Sequence, residues 1–248
     1  MKLMIDIGNS CFKWAFCQQD TLMPQQRFSY HHRNLDDLLT QLWATLTPPE
    51  SIWVANVAGV AIAKQLTQWV NQHWQLTPVF VQTTFQSQGV TNGYHQADQL
   101  GVDRWLALLA AYHIEKQRLC VVDCGTAVTL DVVSATGQHQ GGLIMPGVAL
   151  MRHALCQHTQ ALSSTIEETV SAYQQILAQD TQTGIVLGTL NAVIGLMEQV
   201  LETFVAEPNS LVLTGGSAPG LLPLLNRPYQ HIPDLVLRGL MLTAHQNS

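Results

Sequence analysis

The sequence has little charge, and the charge it has is mostly acidic. Only 11% of the 248 residues are charged, with 11 Lys and Arg against 17 Asp and Glu and a formal net charge of −6. No run of Lys or Arg forms a patch that would neutralise phosphates along a duplex, so nucleic acid is not expected as a partner. Hydrophobic residues make up 47% of the chain, which is enough for a large core and excludes a disordered polymer.

Long hydrophobic runs and a leader pattern are also missing. The best apolar stretch, Ile185 to Met197, is interrupted by Thr189 and Asn191, whereas a membrane span needs about 18 uninterrupted apolar residues. The first ten residues place an acid, Asp6, inside a short apolar run, with no cleavage site after it. We therefore expect no membrane association and a cytoplasmic protein.

Several motifs that would define a reaction are absent. The five cysteines are an odd number without a C-x-x-C pair, which favours reduced thiols over a zinc site or disulfides. No H-x-x-x-H pair has a third ligand nearby, and no G-x-S-x-G elbow is present, so a zinc site and a serine hydrolase are disfavoured. Both G-x-G-x-x-G after a strand and G-x-x-x-x-G-K-[ST] are missing, so any nucleotide must be held by a different kind of turn.

Short apolar runs alternate with longer amphipathic segments. Strands are predicted at 2–7, 12–17, 52–57, 78–82, 119–123, 127–133 and 210–214, and helices at 35–46, 60–73, 98–116, 182–206 and 234–245. Asp98 is the expected N-cap of the third helix, which places Asp103 and Arg104 near its N-terminus. This alternation is typical of an α/β fold.

An internal repeat divides the chain into two similar halves. Residues 4–10 (MIDIGNS) and 121–127 (VVDCGTA) both have the pattern strand, Asp-x-Gly turn, strand, and Asp6 and Asp123 lie 117 residues apart. We expect halves at 1–117 and 118–248, packed around a cleft. Such a turn offers backbone N–H groups to phosphate oxygens and a carboxylate to hydrated Mg²⁺, and Lys13 adds positive charge. The alternative is a plain hairpin in which Asp6 and Asn9 hydrogen-bond their own backbone.

Three further motifs each allow a functional and a structural interpretation. Asp103 is able to accept a proton and Arg104 to pair with a carboxylate. Alternatively, the two form a surface ion pair, or Asp103 is a first-turn acid favoured by the helix dipole. The glycines of the turn at 214–217 (TGGS) let backbone lie against a purine or ribose, or they only start a helix. The glycines within 141–147 suit a close backbone approach, or only a bend.

Taken together, these motifs resemble those of the type III pantothenate kinases, members of the superfold shared by sugar kinases, actin and the heat-shock chaperone ATPases. The resemblance runs over nearly the whole chain and is carried by Asp6-Ile7-Gly8-Asn9-Ser10 with Lys13, Asn92-Gly93-Tyr94, Leu100-Gly101-Val102-Asp103-Arg104-Trp105, residues 123–129, Gly141-Gly142, Pro146-Gly147 and Thr214-Gly215-Gly216. It implies two ribonuclease-H-like (actin-like ATPase) halves around a nucleotide cleft. The implied reaction transfers the γ-phosphoryl group of ATP to the primary hydroxyl of pantothenate, the first step of coenzyme A synthesis. Ser217 departs from the pattern, in which an aspartate is expected.

The same resemblance implies a role for each site residue. Asp103 is expected to be the general base, Asp123 to bind a monovalent cation (K⁺ or NH₄⁺), and Asp6 to hold the Mg²⁺ of MgATP through water. The implied ATP-binding residues are Asp6, Ile7, Gly8, Asn9, Ser10, Cys11, Phe12, Lys13, Thr126, Gly215 and Gly216, and the implied pantothenate-binding residues are Tyr94, Gly101, Val102, Asp103, Arg104 and Thr181.

A homodimer is also expected, because the family's enzymes are dimers and the apolar helix at 182–206 suits such pairing. Two alternatives stay open at this point. One is a non-catalytic regulatory or scaffold relative of the same fold. The other is a kinase of another small hydroxy acid, which would differ only in the pocket around Tyr94, Arg104 and Thr181.

Overall fold

The computed structural model describes residues 1–30, 34–157, 176–204 and 210–246. The chain forms two compact units, the first made of Met1–Ile114 with Asp234–Ser248 and the second of Glu115–Pro233. The chain passes from one unit to the other close to position 117, where the sequence repeat places the boundary. The segment from Asp234 onward belongs to the first unit, whereas the sequence-based division assigned it to the second half.

The first unit is built on a six-stranded sheet. Its strands are β1 (Lys2–Ile7), β2 (Cys11–Gln18), β3 (Thr21–Leu22), β4 (Gln26–Ser29), β5 (Ser51–Asn56) and β6 (Val79–Phe80). They lie in the order β3-β2-β1-β5-β6, with β4 also paired to β2. β1 and β2 form an antiparallel hairpin, whereas β5 runs parallel to β1 and β6 parallel to β5. The first Asp-x-Gly turn therefore lies at the carboxyl end of β1.

Two helices, α1 (Leu35–Trp43) and α2 (Val60–Trp74), pack against this sheet. The apolar cluster that joins them to it contains alternate residues of β1, as expected for a strand with one face toward these helices: Leu3, Ile5, Ile7, Leu39, Trp43, Leu66, Trp69 and Val70. Asn34 caps α1, because its Oδ1 accepts a hydrogen bond from the backbone N–H of Asp36 at 3.0 Å.

The third helix begins later than its sequence pattern indicates. A small hairpin, β7 (Gln86–Ser87) and β8 (Val90–Thr91), precedes it, and α3 spans Val102–Glu115. Asp98 lies in a separate 3₁₀ turn, Ala97–Gln99, and Leu100 after this turn has an extended backbone with ψ of 122°. The extended residue interrupts the helical hydrogen bonds, so the prediction of Asp98 as the N-cap of this helix is wrong.

The second unit repeats the strand arrangement of the first. Its elements are β9 (Leu119–Cys124), β10 (Ala127–Val133), β11 (His139–Pro146), α4 (Val148–Gln157), α5 (Thr181–Phe204), β12 (Ser210–Thr214), α6 (Ala218–Leu221) and β13 (Gln230–His231). The sheet order is β11-β10-β9-β12-β13. β9 and β10 are antiparallel, and β12 runs parallel to β9, as β5 does to β1. The internal repeat in the sequence is thus a structural repeat of β2-β1-β5-β6 as β10-β9-β12-β13.

Helix α5 is the longest of the described elements, and its buried face packs on the second sheet through Val186, Leu190, Val193 and Met197. By length and composition alone, this helix would also be able to span a membrane. This finding departs from the expectation based on the interrupted run at 185–197. Of the most apolar 18-residue window of the helix, 44% is buried. Core helices meet the same criterion, and this packing accounts for the buried apolar residues of α5. The last two residues of the predicted helix, 205 and 206, lie outside the described residues.

The final helix, α7 (Leu235–Gln246), packs against β1 and β5 of the first sheet. Gly239 lies directly against α3, since a Cβ added at Gly239 would come within 2.6 Å of the carbonyl carbon of Leu106. Only glycine allows this approach, so the return of the chain end to the first unit depends on it. The sequence pattern predicts α7 but not α4 or the short strands β3, β4, β7, β8 and β13.

Candidate active site

The first Asp-x-Gly turn joins β1 to β2 and carries a buried ion pair. Asp6 is only 4% exposed, and its Oδ2 accepts a hydrogen bond from Lys13 Nζ at 3.0 Å. The two residues are direct partners in the hairpin register, so strand pairing itself brings them together. Gly8 closes the turn by donating its backbone N–H to the carbonyl of Cys11 at 3.0 Å. Asp6 thus has a charged partner on the neighbouring strand, which the plain-hairpin interpretation does not include.

The other expected ATP-binding residues of this turn divide into two groups. Ile7 and Phe12 are completely buried in the core, so only their backbone is available to a ligand. Asn9 is exposed, and Ser10 and Cys11 are half-buried, at the tip of the hairpin and the start of β2. The turn therefore presents backbone and small polar groups to solvent above an apolar base.

Two residues at β4 support this turn, and neither was predicted from the sequence. The hydroxyl of Tyr30 donates to the carbonyl of Gly8 at 2.5 Å, and Arg27 Nη2 donates to Cys11 Sγ at 3.3 Å. Both contacts exist because β4 pairs with β2. No local pattern around residues 27–30 indicates that partner.

Asp103 lies in the first turn of α3. Its Oδ1 accepts a hydrogen bond from the backbone N–H of Arg104 at 2.8 Å. Gly101 leaves the space that this carboxylate occupies, because a Cβ there would lie 2.7 Å from Asp103 Oδ1. Burial raises the pKa of Asp103, and the negative charge of Asp6 raises it further, against the lowering effect of Arg104. A carboxylate with a raised pKa is a better proton acceptor.

Arg104 is anchored rather than exposed. Its side chain is 8% exposed, Nη1 donates to the Tyr94 hydroxyl at 2.9 Å, and Cζ lies 5.6 Å from the centroid of the Tyr94 ring. Tyr94 is held in turn by Asn92, whose Oδ1 accepts from the Tyr94 backbone N–H at 2.9 Å and whose Nδ2 donates to the carbonyl of Ala97 at 3.2 Å. The interpretation of Asp103 and Arg104 as a surface ion pair is therefore wrong. Asn92 is a residue type typical of turns, but no function was assigned to it from the sequence.

In the second unit, the glycine turn after β12 packs on the second Asp-x-Gly turn. Gly215 has φ of +90°, and a Cβ there would overlap Asp123 Oδ1 and lie 2.6 Å from the backbone nitrogen of Cys124. Ser217 donates its backbone N–H to the carbonyl of Cys124 at 2.9 Å. These contacts follow from strand pairing, since β12 lies beside β9 with Thr214 opposite Asp123. The sequence indicated both turns but not that they meet.

The glycines of β11 serve both purposes that the sequence allowed. Gly147 donates its N–H to the carbonyl of Thr126 at 2.9 Å, and a Cβ there would come within 2.6 Å of that oxygen. Gly141 has φ of +108° next to the shift in register at Val132 and Val133. Gly147 thus permits a close approach to the second turn, and Gly141 permits a bend.

Thr181 begins α5 in the second unit, whereas Asp103 and Arg104 belong to the first. It follows Asp180, whose Oδ1 accepts from the backbone N–H of Thr183 at 2.8 Å and so caps the helix. Thr181 also lines an almost entirely apolar cavity of about 760 Å³, together with residues of α4 and α5 that include Leu150, Leu155, Gly184, Gly188 and Ala192.

Metal binding by protein side chains alone is not indicated. Within the parts of the chain that the structure describes, no three His, Cys, Asp or Glu side chains gather into a cluster able to hold a metal ion. All five cysteines are free thiols, so no disulfide is formed. Burial raises the pKa of the Cys124 thiol, which sits between Asp123 and Gly125, to about 12.

Comparison with solved structures identifies the fold. A Baf family protein from Campylobacter jejuni, described as a transcriptional activator, superposes with a TM-score of 0.63 at 21% identity, over 99% of this chain and 100% of that one. The activator of the 2-hydroxyisocaproyl-CoA dehydratase from Clostridium difficile, solved with bound ADPNP, gives 0.53 at 11% identity over 99% and 94%. A protein described as a 2-dehydro-3-deoxygalactonokinase from Sinorhizobium meliloti gives 0.57 at 13% over 100% and 99%. The expected actin-like ATPase and sugar kinase fold is thereby confirmed.

Comparison of sequences identifies the family. The family model described as type III pantothenate kinase matches residues 2–203. A type III pantothenate kinase from Nitrosococcus oceani is 38% identical over 100% of this chain and 95% of its own length, and one from Burkholderia thailandensis is 35% identical over 98% and 97%. The chain belongs to the type III pantothenate kinase family.

Proposed function

We propose that this protein transfers the γ-phosphoryl group of MgATP to the primary hydroxyl of pantothenate, giving 4'-phosphopantothenate in coenzyme A synthesis. One observation carries the proposal beyond family membership: a carboxylate with a raised pKa, Asp103, lies next to an anchored guanidinium, Arg104, at a helix start. A proton acceptor beside a carboxylate-binding group matches a substrate that has both a hydroxyl and a carboxylate.

In the proposed reaction, Asp103 accepts the hydroxyl proton as the substrate oxygen attacks the γ-phosphorus. The O–H bond breaks, a new O–P bond forms, and the bond between the γ-phosphorus and the β–γ bridging oxygen breaks to leave ADP. The hydrogen bond from the Arg104 backbone orients the Asp103 carboxylate for this step. Phosphoryl transfer depends mainly on positioning and charge neutralisation, so a modest base is sufficient.

Arg104 is proposed to bind the pantothenate carboxylate. One N–H group of Arg104 donates a hydrogen bond to the Tyr94 hydroxyl at 2.9 Å, and the Tyr94 ring lies against the guanidinium. These contacts restrict the orientation of the remaining N–H donors. Gly101 and Val102 are proposed to contribute backbone to the same pocket, and Thr181 is proposed as a further pantothenate contact. The contact with Tyr94 orders the Arg104 side chain before the substrate binds, so less side-chain entropy is lost on binding.

ATP binding is assigned to the glycine turns of both units. The Asp6–Lys13 turn is proposed to bind the phosphates, Thr126 to contact ATP, and Gly215 and Gly216 to contact the adenosine part. Ser217 in place of the expected aspartate keeps the backbone contact to Cys124, because that hydrogen bond uses its main-chain N–H. The substitution therefore changes the side chain offered to the nucleotide and not the shape of the turn.

Two cations are included in the proposal. Mg²⁺ neutralises phosphate charge when it is bound with ATP, and a single carboxylate such as Asp6 fits it, since Mg²⁺ keeps most of its ligands as waters and phosphate oxygens. Asp123 is proposed to hold K⁺ or NH₄⁺. The backbone of Gly125 and Gly215 lies against its carboxylate, and a carboxylate oxygen is a hard ligand that suits such ions.

We also assign this protein to the cytoplasm as a homodimer. Gly184, Gly188 and Ala192 are small, exposed and spaced by four along α5, next to exposed Leu150 and Leu155. A stripe of small residues permits close packing by a helix of a second copy, and the apolar residues beside it would be covered.

The test incubates the purified protein with ATP and pantothenate, in potassium and in sodium buffer side by side, and detects the product by mass spectrometry. Phosphopantothenate formed only with potassium supports the reaction and the cation at Asp123. Product in both buffers supports the reaction and removes the cation. No product from a folded protein that binds ATP contradicts the proposal, and a panel of other hydroxy acids then separates a different kinase from a regulatory relative.

A further inference from the structure

Three strands of the first unit place three charged side chains in one row. Asp6 on β1 is the register partner of Lys13 on β2, and Lys13 is the partner of Arg27 on β4. Directly opposed residues on neighbouring strands project from the same face of a sheet, with Cβ atoms about 5 Å apart. Arg27 is therefore the next neighbour of the Asp6–Lys13 pair.

The side chain of Arg27 extends from this row toward the turn. Its Nη2 donates to Cys11 Sγ at 3.3 Å, and Cys11 is two residues nearer the turn than Lys13 on the same face of β2. Two residues of a strand span about 7 Å. The guanidinium thus reaches the base of the Gly8–Ser10 turn.

A carboxylate neutralises the charge of Lys13 but not the charge of Arg27. Lys13 donates to Asp6 at 3.0 Å, so this pair contributes little net charge to the turn. No carboxylate of the described residues lies within ion-pair distance of Arg27, whose hydrogen-bond partner is the Cys11 sulfur. Only one of its five N–H groups is used there, and the side chain is exposed. The turn therefore has beside it one guanidinium group, that of Arg27, whose positive charge no nearby carboxylate neutralises.

We propose that Arg27 is a phosphate-binding residue of this enzyme, which adds its guanidinium to the ATP triphosphate bound at the β1–β2 turn. The inference rests on the proposed function, in which this turn holds the phosphates. A guanidinium matches phosphate oxygens bidentately, and MgATP keeps a net negative charge that the Asp6–Lys13 pair does not neutralise. Tyr30, just after β4, donates a hydrogen bond to the Gly8 carbonyl. The β4 segment therefore both orders the turn, through Tyr30, and places a positive charge beside it, through Arg27.

The competing explanation is that Arg27 only protects an exposed strand edge, where a charged residue discourages pairing with other chains. The two explanations predict different ligand dependences. If Arg27 binds phosphate, its substitution weakens the affinity for ATP and leaves the affinity for adenosine unchanged. If Arg27 only protects the strand edge, its substitution changes neither affinity, or it lowers both because less protein is folded.

The experiment measures binding of ATP and of adenosine by calorimetry for the wild type, Arg27→Ala, Arg27→Gln and Arg27→Lys. We expect Arg27→Ala and Arg27→Gln to weaken ATP binding about tenfold, equivalent to about 1.4 kcal/mol, with adenosine affinity unchanged. Arg27→Lys recovers part of the loss, and the ATP affinity of both neutral variants depends less on NaCl concentration than that of the wild type. Lys64→Ala, which removes one exposed positive charge from α2 of the same unit, is the matched control and leaves ATP affinity within twofold.

Two results overturn the inference: ATP affinity of Arg27→Gln within twofold of the wild type, or equal losses for ATP and adenosine. Melting temperatures identify a variant that fails to fold, and Arg27→Gln is included because it removes the charge while it keeps a polar side chain with N–H donors. Because binding is measured without pantothenate, a wild type that binds ATP but phosphorylates no pantothenate contradicts the substrate assignment and still tests Arg27. In an active protein, Arg27→Ala raises the KM for ATP and not the KM for pantothenate.

Discussion

The substitution Asp103→Asn should change turnover and stability in opposite directions. Asn retains an Oδ1 that accepts the Arg104 backbone N–H, so the side chain keeps its orientation and loses only its charge and its ability to take a proton. A positioned general base contributes about 10²- to 10⁴-fold to a rate. We therefore expect kcat to fall by that factor, about 3–5 kcal/mol of activation free energy, with ATP affinity largely kept.

The stability effect follows from the raised pKa of Asp103. When the pKa of a carboxyl group is higher in the folded than in the unfolded protein, the folded state binds more protons between the two values. Stability then falls as pH rises through this window, which begins near the ordinary pKa of 3.8, and the charged carboxylate destabilises the fold above it. Asp103→Asn removes burial of this charge and its repulsion by Asp6. The variant should be more stable than the wild type at neutral pH, and the difference should shrink as pH falls into the window.

The assay pairs steady-state kinetics with urea unfolding between pH 8 and pH 4.5. Asp98→Asn is the matched control, because Asp98 is exposed and the same atoms are exchanged in the same unit. It should change neither quantity. Turnover of Asp103→Asn at the wild-type rate would refute the assignment of the base, and a variant less stable than the wild type at neutral pH would refute the reasoning about the buried charge.

Three other substitutions test the remaining parts of the site. Arg104→Ala should raise the KM for pantothenate by about 10- to 100-fold with little change in the KM for ATP, because a charge-assisted hydrogen bond contributes about 1.5–3 kcal/mol. Asp123→Ala should abolish any difference between potassium and sodium buffers, since the cation loses its carboxylate ligand. Gly215→Ala should lower the free energy of unfolding by about 2–5 kcal/mol, combining about 1–2 for a left-handed backbone with about 1–3 for overpacking against Asp123 and Cys124.

Each of these expectations has a result that contradicts it. For Arg104→Ala, an unchanged KM for pantothenate would place its carboxylate elsewhere, and Arg118→Ala in the second unit serves as the charge-matched control. For Asp123→Ala, a retained potassium requirement would move the cation to another site. For Gly215→Ala, unfolding by urea at the wild-type midpoint would mean that the turn does not lie against β9. Gly195→Ala, where a Cβ meets nothing within 4 Å, controls for the general effect of alanine.

Local sequence was sufficient to predict the repeated strand-turn-strand units. Short apolar runs specify β1 and β9, and an Asp-x-Gly sequence marks each turn, so hairpin formation depends on neighbours within about ten residues. Register then places Asp6 opposite Lys13 without help from distant segments. The same local patterns predict α2, α5 and α7 to within a few residues at the ends that the structure describes.

Contacts between distant segments were decided only by the tertiary structure. Gly215 lies on Asp123 because β12 pairs with β9, Arg27 lies beside Lys13 because β4 pairs with β2, and α7 returns to the first sheet. Even the start of α3 depended on such contacts: Asn92 and Thr83 bind the backbone around Ala97 and Leu100, which holds Leu100 extended where its sequence pattern predicts helix. The sequence alone therefore determines which turns and charged groups exist. Long-range pairing of strands and helices, whose partners have no local signature, determines which of them act together.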